Sequence, residues 1–143
     1  MILTLCGSAK FEPAFHAWNE VLGLRGHSVF GLCVYPSQKA GEKTWYTPEE
    51  KKILDEVHFD KIAASHGIVL LNYGGYIGES TGNEIWYAQA RNKPVYAVTR
   101  HRDVMLGIGY VMLGIGYAYD LLGRDEEKRK RDIDKLLKAE ALF

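Results

Sequence analysis

A glycine-rich stretch, Gly74-Gly75-Tyr76-Ile77-Gly78, runs into Ser80 and Thr81 at the start of a helical pattern. Unpaired N–H groups and the helix dipole make such a junction a place for an anion, and a phosphate fits it. A second turn, Gly7-Ser8, opens the first helix with Lys10 as a nearby cation. Two anion sites facing each other suit a nucleotide. The loop is not a Rossmann fingerprint, and no P-loop lysine pattern is present.

Glu84 falls close behind this loop, and two readings of it are open. Thr81-Gly82-Asn83-Glu84 has the form of a capping box, in which the carboxylate serves its own helix. Alternatively it is a carboxylate held at the strand ends, beside the phosphate site, where a sugar would lie. On the preceding helix Asp55 and His58 share a face, whereas Asp60 points elsewhere. A histidine oriented by Asp55 suits acid–base work near neutrality. The plainer alternative is a solvated helix flank. The aromatics Tyr35, Trp45, Tyr46, Tyr73, Tyr76, Trp86 and Tyr87 crowd loops and strand ends, where a ring can stack on a nucleobase.

These residues need a scaffold. Ile2 to Cys6 reads as a buried strand, and Phe11, Phe15, Trp18, Leu22 and Leu24 follow near the helical period. Val29 to Val34 is a second β-rich run, and residues 35–46 read as a loop. Thr47-Pro48-Glu49-Glu50 is a helix start with a cap, a first-turn proline and a capping-box glutamate. Gly67 to Tyr73 is an apolar strand suited to the middle of a sheet covered on both faces. A third helix starting at Ser80 or Thr81 leads to a strand over Pro94–Thr99. Strand–helix alternation predicts a flavodoxin- or Rossmann-like α/β three-layer sandwich with a parallel sheet of four to five strands. Everything after Arg102 reads as helix, so residues 1–143 form one domain with a core over 1–100 and a helical extension over 101–143. In that extension Val104–Tyr110 is repeated letter for letter as Val111–Tyr117. As helix, this repeat would project Tyr110 and Tyr117 from one stripe, either as a tolerated duplication or as a subunit interface.

Composition narrows the function classes. The 18 Lys+Arg balance the 18 Asp+Glu, which removes the global electrostatic reason to bind a nucleic acid polymer or an acidic membrane. With 47% hydrophobic residues the chain is too apolar for disorder. No run approaches the ~20 apolar residues of a membrane span. Cys6 and Cys33 are too few for a disulfide scaffold and form no CxxC, and both read as buried free thiols. A soluble, cytoplasmic protein needing no metal or other cofactor is expected.

The motifs together resemble the nucleoside 2-deoxyribosyltransferase superfamily, which includes nucleoside deoxyribosyltransferases and 2-deoxynucleoside 5-phosphate N-hydrolases. The resemblance covers residues 1 to about 100. It rests on Cys6-Gly7-Ser8-Ala9-Lys10, on the apolar strand at Gly67–Tyr73, and on Ser80-Thr81-Gly82-Asn83-Glu84-Ile85-Trp86-Tyr87-Ala88 before Lys93-Pro94-Val95. It implies a nucleophilic role for Glu84 and sugar or 5-phosphate contacts at Gly7, Ser8, Lys10 and Ser80; Gly78 and Gly82, at the loop-to-helix junction, are further candidates for the phosphate. The family's second acid, an aspartate, falls at His58 in this chain. Either His58 takes over the proton role, or Asp60 does after a helical shift, or the chemistry is altered. The implied reaction is retaining cleavage or transfer of an N-glycosidic bond through a glycosyl–Glu84 intermediate. The implied partners are a small nucleoside or nucleotide and further copies of the chain in a homodimer or higher oligomer. A non-catalytic nucleotide-binding domain and a phosphoribohydrolase are the competing expectations. The latter's Gly-Gly-x-Gly-Thr-x-x-Glu motif is echoed only in part by Gly74 to Ser80.

Overall fold

The computed structural model describes residues 1–35, 46–100 and 115–143. Strand β1 (Ile2–Gly7) leads through a 3-10 turn into helix α1 (Glu12–Leu24). Strand β2 (Ser28–Phe30), helix α2 (Pro48–Ala63) and strand β3 (Gly67–Leu71) follow. Helix α3 (Glu79–Ala90), strands β4 (Val95–Ala97) and β5 (Ile115–Tyr117), and helix α4 (Glu126–Glu140) complete the described chain. The sheet order is β2-β1-β3-β4-β5, and every pairing is parallel.

Local chemistry accounts for the element ends. The Thr47 hydroxyl accepts from the Glu50 N–H at 3.1 Å, while the Thr47 N–H donates to the Glu50 carboxylate at 3.0 Å. The predicted capping box therefore starts α2, with Pro48 in its first turn. β3 is buried along its whole length, as a central strand covered on both faces must be. Gly7 and Gly67 are set by close backbone approach: a Cβ would stand 2.9 Å from the Leu71 carbonyl oxygen at Gly7, and 2.9 Å from that of Pro94 at Gly67.

Alternation along the strands divides the core in two. Leu3, Leu5, Val69 and Leu71 pack with Phe15, Trp18 and Leu22 of α1 and Leu136 of α4. Cys6, Ile68 and Leu70 pack on the other face with Ile62 of α2 and Ile85 and Ala88 of α3. Helices α1 and α4 thus cover one face and α2 and α3 the other, giving the expected three layers. The Trp18 indole N–H donates to the Tyr73 hydroxyl at 2.9 Å, tying α1 to the end of β3.

The C-terminal region departs from the all-helix expectation. Ile115–Tyr117 forms β5, which adds to the sheet beside β4. Gly116 fits there because a Cβ would stand 3.0 Å from the Tyr96 ring. Tyr117 is therefore a strand residue, tilted against Tyr119 at 5.1 Å, and not part of a helical tyrosine stripe. The first copy of the repeat and most of the second lie outside the described residues, as does Trp45. Helix α4 returns to α1 through Arg25, which donates to Asp132 at 2.9 and 2.6 Å. Lys135 also pairs with Glu20.

Candidate active site at the β1/β3 switch point

In a sheet of order 2-1-3-4-5 the chain leaves β1 and β3 toward opposite faces, and the crevice at their carboxyl ends is where ligands bind. The residues singled out from the sequence sort themselves around this crevice.

Glu84 is the centre. Helix α3 begins at Gly78 as N-cap, without a side-chain cap, so Thr81 and Glu84 lie inside the helix. The capping-box reading is thereby corrected: the helix starts three residues earlier than that motif requires, and the Glu84 side chain is turned inward. It is 7% exposed. One carboxyl oxygen, Oε1, lies 3.9 Å from His58 Nε2. The other, Oε2, is buried without a hydrogen-bond partner.

His58 comes from α2 and is also buried. Its Nε2 lies 3.5 Å from the Cys6 thiol, which projects from β1 into the same space. The sequence predicts Cys6 as a buried hydrophobe. It is buried, but among polar partners. Burial pushes the Glu84 carboxyl up to about 8, the nearby Asp55 carboxylate adding to the shift and the Cys6 thiol and Lys51 opposing it. Burial also lowers His58 to about 4, with the Lys61 ammonium contributing. The Cys6 thiol is held well above its usual range by burial and by Glu84. At neutral pH the three groups therefore stand as carboxylic acid, neutral imidazole and thiol. Taking charge out of water is what each avoids.

Asp60 does not join them. It is exposed on α2, where the helical turn carries it away from the His58 face. Asp55 is half-buried and pairs with the Lys51 ammonium at 2.9 Å. Lys51 also donates to the Ser80 hydroxyl at 3.2 Å, bridging α2 to the first turn of α3. Lys51 escaped the sequence reading, although it stands one helical turn before Asp55 and two before His58 on a common face.

Around the rim, the Ser8 hydroxyl accepts from the Lys10 N–H at 3.3 Å. The Lys10 ammonium lies 3.3 Å from the centre of the Tyr76 ring, a cation–π contact on the loop after β3. Gly78 sits under Tyr76, its Cβ direction 3.4 Å from the phenol oxygen, whereas Gly82 faces open space. Buried Asn72 closes the end of the sheet. Its side-chain amide donates to the Thr99 carbonyl at 3.1 Å and accepts from the Thr99 N–H at 3.0 Å. The arrangement offers an inward carboxyl with a proton acceptor beside it, a helix N-terminus, and the cations Lys10 and Lys51. Such a set suits substitution at a carbon bearing a leaving base, on a substrate carrying an anion or hydroxyl at its other end.

No family model matches the chain, and no curated protein matches it significantly in sequence. Its structure is similar to that of a 2-deoxyribosyltransferase from the psychrotolerant bacterium Bacillus psychrosaccharolyticus. The identity is 15%, the alignment covers 90% of this chain and 96% of that one, and the TM-score is 0.58. A conserved protein from Enterococcus faecalis V583 aligns over 100% of this chain and 99% of that one, at 14% identity and a TM-score of 0.47. The first likeness establishes the fold. The chain has the α/β architecture of the 2-deoxyribosyltransferases, and the resemblance read from its motifs holds at that level. Among the described residues no helix is long and apolar enough to cross a membrane.

Proposed function

We propose that the chain cleaves or transfers the N-glycosidic bond of a 2-deoxynucleoside or its 5-monophosphate, with Glu84 as nucleophile. The observation that carries this reading is the buried Glu84 carboxyl at the switch point, one oxygen facing His58 and the other without a partner.

The pair accounts for the protons. Glu84 at rest is the acid and His58 the base. Transfer of the proton from Glu84 to His58 makes a carboxylate and an imidazolium. The carboxylate attacks C1 of the sugar as the C1–N bond breaks, and the imidazolium gives its proton to the departing base. The products are a glycosyl–Glu84 ester, neutral His58 and free base. Water then attacks C1 while His58 takes its proton, and the ester bond breaks to return the Glu84 carboxylate. A second base in place of water turns hydrolysis into transfer. The N-terminus of α3, Ser8, Ser80, Lys10 and Lys51 are the groups suited to hold the 5-hydroxyl or 5-phosphate. Asp60 has no part in this reading.

Incubation with a panel of deoxynucleosides and their 5-monophosphates, with and without a second base, tests the proposal. Release of free base from at least one of them, abolished in Glu84→Ala, is expected. A second reading, nucleotide binding without cleavage, is favoured by the histidine that stands where the resemblance places an acid. It predicts calorimetric binding of a panel member with no base released. Assembly of the chain into dimers or larger oligomers belongs to the same proposal, and light scattering at micromolar concentration reads it.

A further inference from the structure

Cys6, His58 and Glu84 form the one group of three such ligand-bearing side chains found among the described residues, all three buried, with their donor atoms within 4.8 Å of one another. They come from three elements, β1, α2 and α3. The sulfur-to-nitrogen spacing matches a small ion, and the carboxyl stands slightly outside it. With zinc bonds of about 2.3 Å to sulfur and about 2.0–2.1 Å to nitrogen and oxygen, tetrahedral ligands stand about 3.6 Å (S to N) and about 3.3 Å (N to O) apart. The observed distances are 3.5 Å from sulfur to nitrogen and 3.9 Å from nitrogen to oxygen. A small inward movement of the Glu84 carboxyl completes the set. Glu84 Oε2 is buried without a hydrogen-bond partner, so a carboxyl oxygen is open to an ion there.

From this geometry we propose that Cys6, His58 and Glu84 bind a divalent transition metal of the zinc type, with one coordination position open. The donor set of one thiolate, one imidazole and one carboxylate suits a borderline cation rather than magnesium or calcium. Charge supports it. Thiolate, carboxylate and divalent cation sum to zero, so the loaded site is neutral in an apolar surround. Binding releases one proton from the thiol and one from the carboxyl to solvent, and breaks no covalent bond between heavy atoms. On the reading of Glu84 as nucleophile, metal and sugar compete for the same oxygens, and zinc inhibits base release. The binding itself does not depend on that reading.

Cobalt(II) titration of the full chain, followed by zinc displacement, is the test. One equivalent of cobalt gives a thiolate charge-transfer band in the near ultraviolet with tetrahedral visible bands, and zinc removes both. Cys33→Ser changes neither, because Cys33 is the exposed cysteine. Cys6→Ser loses the charge-transfer band. Glu84→Gln keeps a sulfur ligand but weakens zinc binding by about tenfold or more. A folded Cys33→Ser protein that takes up neither cobalt nor zinc at micromolar concentration overturns the proposal, as does a band that persists in Cys6→Ser. Should Cys6→Ser not fold, the Glu84→Gln and Cys33→Ser proteins still decide. Failure of base release with metal binding intact overturns the catalytic reading alone.

Discussion

His58 Nε2 and Glu84 Oε1 lie 3.9 Å apart with both side chains buried, and near neutral pH the pair holds one proton, on Glu84. Acid plus neutral imidazole is the resting form because desolvation penalises two charges. Carboxylate plus imidazolium has the same net charge, so the exchange needs no proton from solvent. Glu84→Ala is therefore expected to abolish free-base release. His58→Ala is expected to lower it by about 100-fold or more, the usual range for loss of a positioned acid–base group. A His58→Ala protein with undiminished turnover would take His58 out of the reaction; single-turnover assays on each panel substrate make the measurement.

The same pair writes a pH signature into stability. Glu84 is raised from 4.5 to about 8, so between those values the native state holds a proton that the unfolded chain has lost, and stability falls as pH rises. His58 is lowered from 6.5 to about 4, so over that window the unfolded chain holds the extra proton, and stability rises with pH. The two slopes oppose each other between pH 4.5 and 6.5, leaving a decline from 6.5 to about 8. Urea unfolding in chelator is expected to show that decline, and Glu84→Gln to remove it. A decline of the same slope in Glu84→Gln would assign it elsewhere.

Gly7 and Gly82 were both read as substrate contacts, and the structure gives them opposite surroundings. An alanine at Gly7 meets the Leu71 backbone, so β1 and β3 must part, at a cost of about 1–3 kcal/mol. An alanine at Gly82 meets open space inside α3, where the change from glycine stabilises a helix by about 0.5–1 kcal/mol. Thermal unfolding checks both signs. If Gly82→Ala gains stability yet loses substrate affinity, the open space over Gly82 belongs to the ligand.

Tyr73 joins the core to the site loop. Tyr73→Phe removes the acceptor of the Trp18 indole N–H and leaves that donor buried. The expected cost is about 1–3 kcal/mol, read as a lower urea midpoint at unchanged m-value. No loss of stability would mean that the indole finds another acceptor.

Much of the fold was legible because its signals are local. Thr47, Pro48 and Glu50 announce α2 within four residues, and the apolar run from Gly67 can only be a central strand. The start of α3 was misplaced for an equally local reason. Thr81 to Glu84 spells a capping box, but Gly78 caps the helix with backbone alone and leaves no side-chain signature. β5 was hidden by a repeat whose length matches two helical turns; pairing with β4 decides its conformation. The polar cluster was hardest to see. Cys6 and His58 are 52 residues apart, and only the parallel crossover brings them within 3.5 Å. Cysteine spacing along the chain reports on metal motifs built from one hairpin or loop, not on side chains brought together from three separate elements.

Strand β2, at one rim of the described sheet, is three residues long. A second chain adding a strand beside it would find only a brief ladder there. Lengthening the sheet at that rim is thus poorly templated, and recognition at that rim would be a matter of side-chain fit more than of shared backbone.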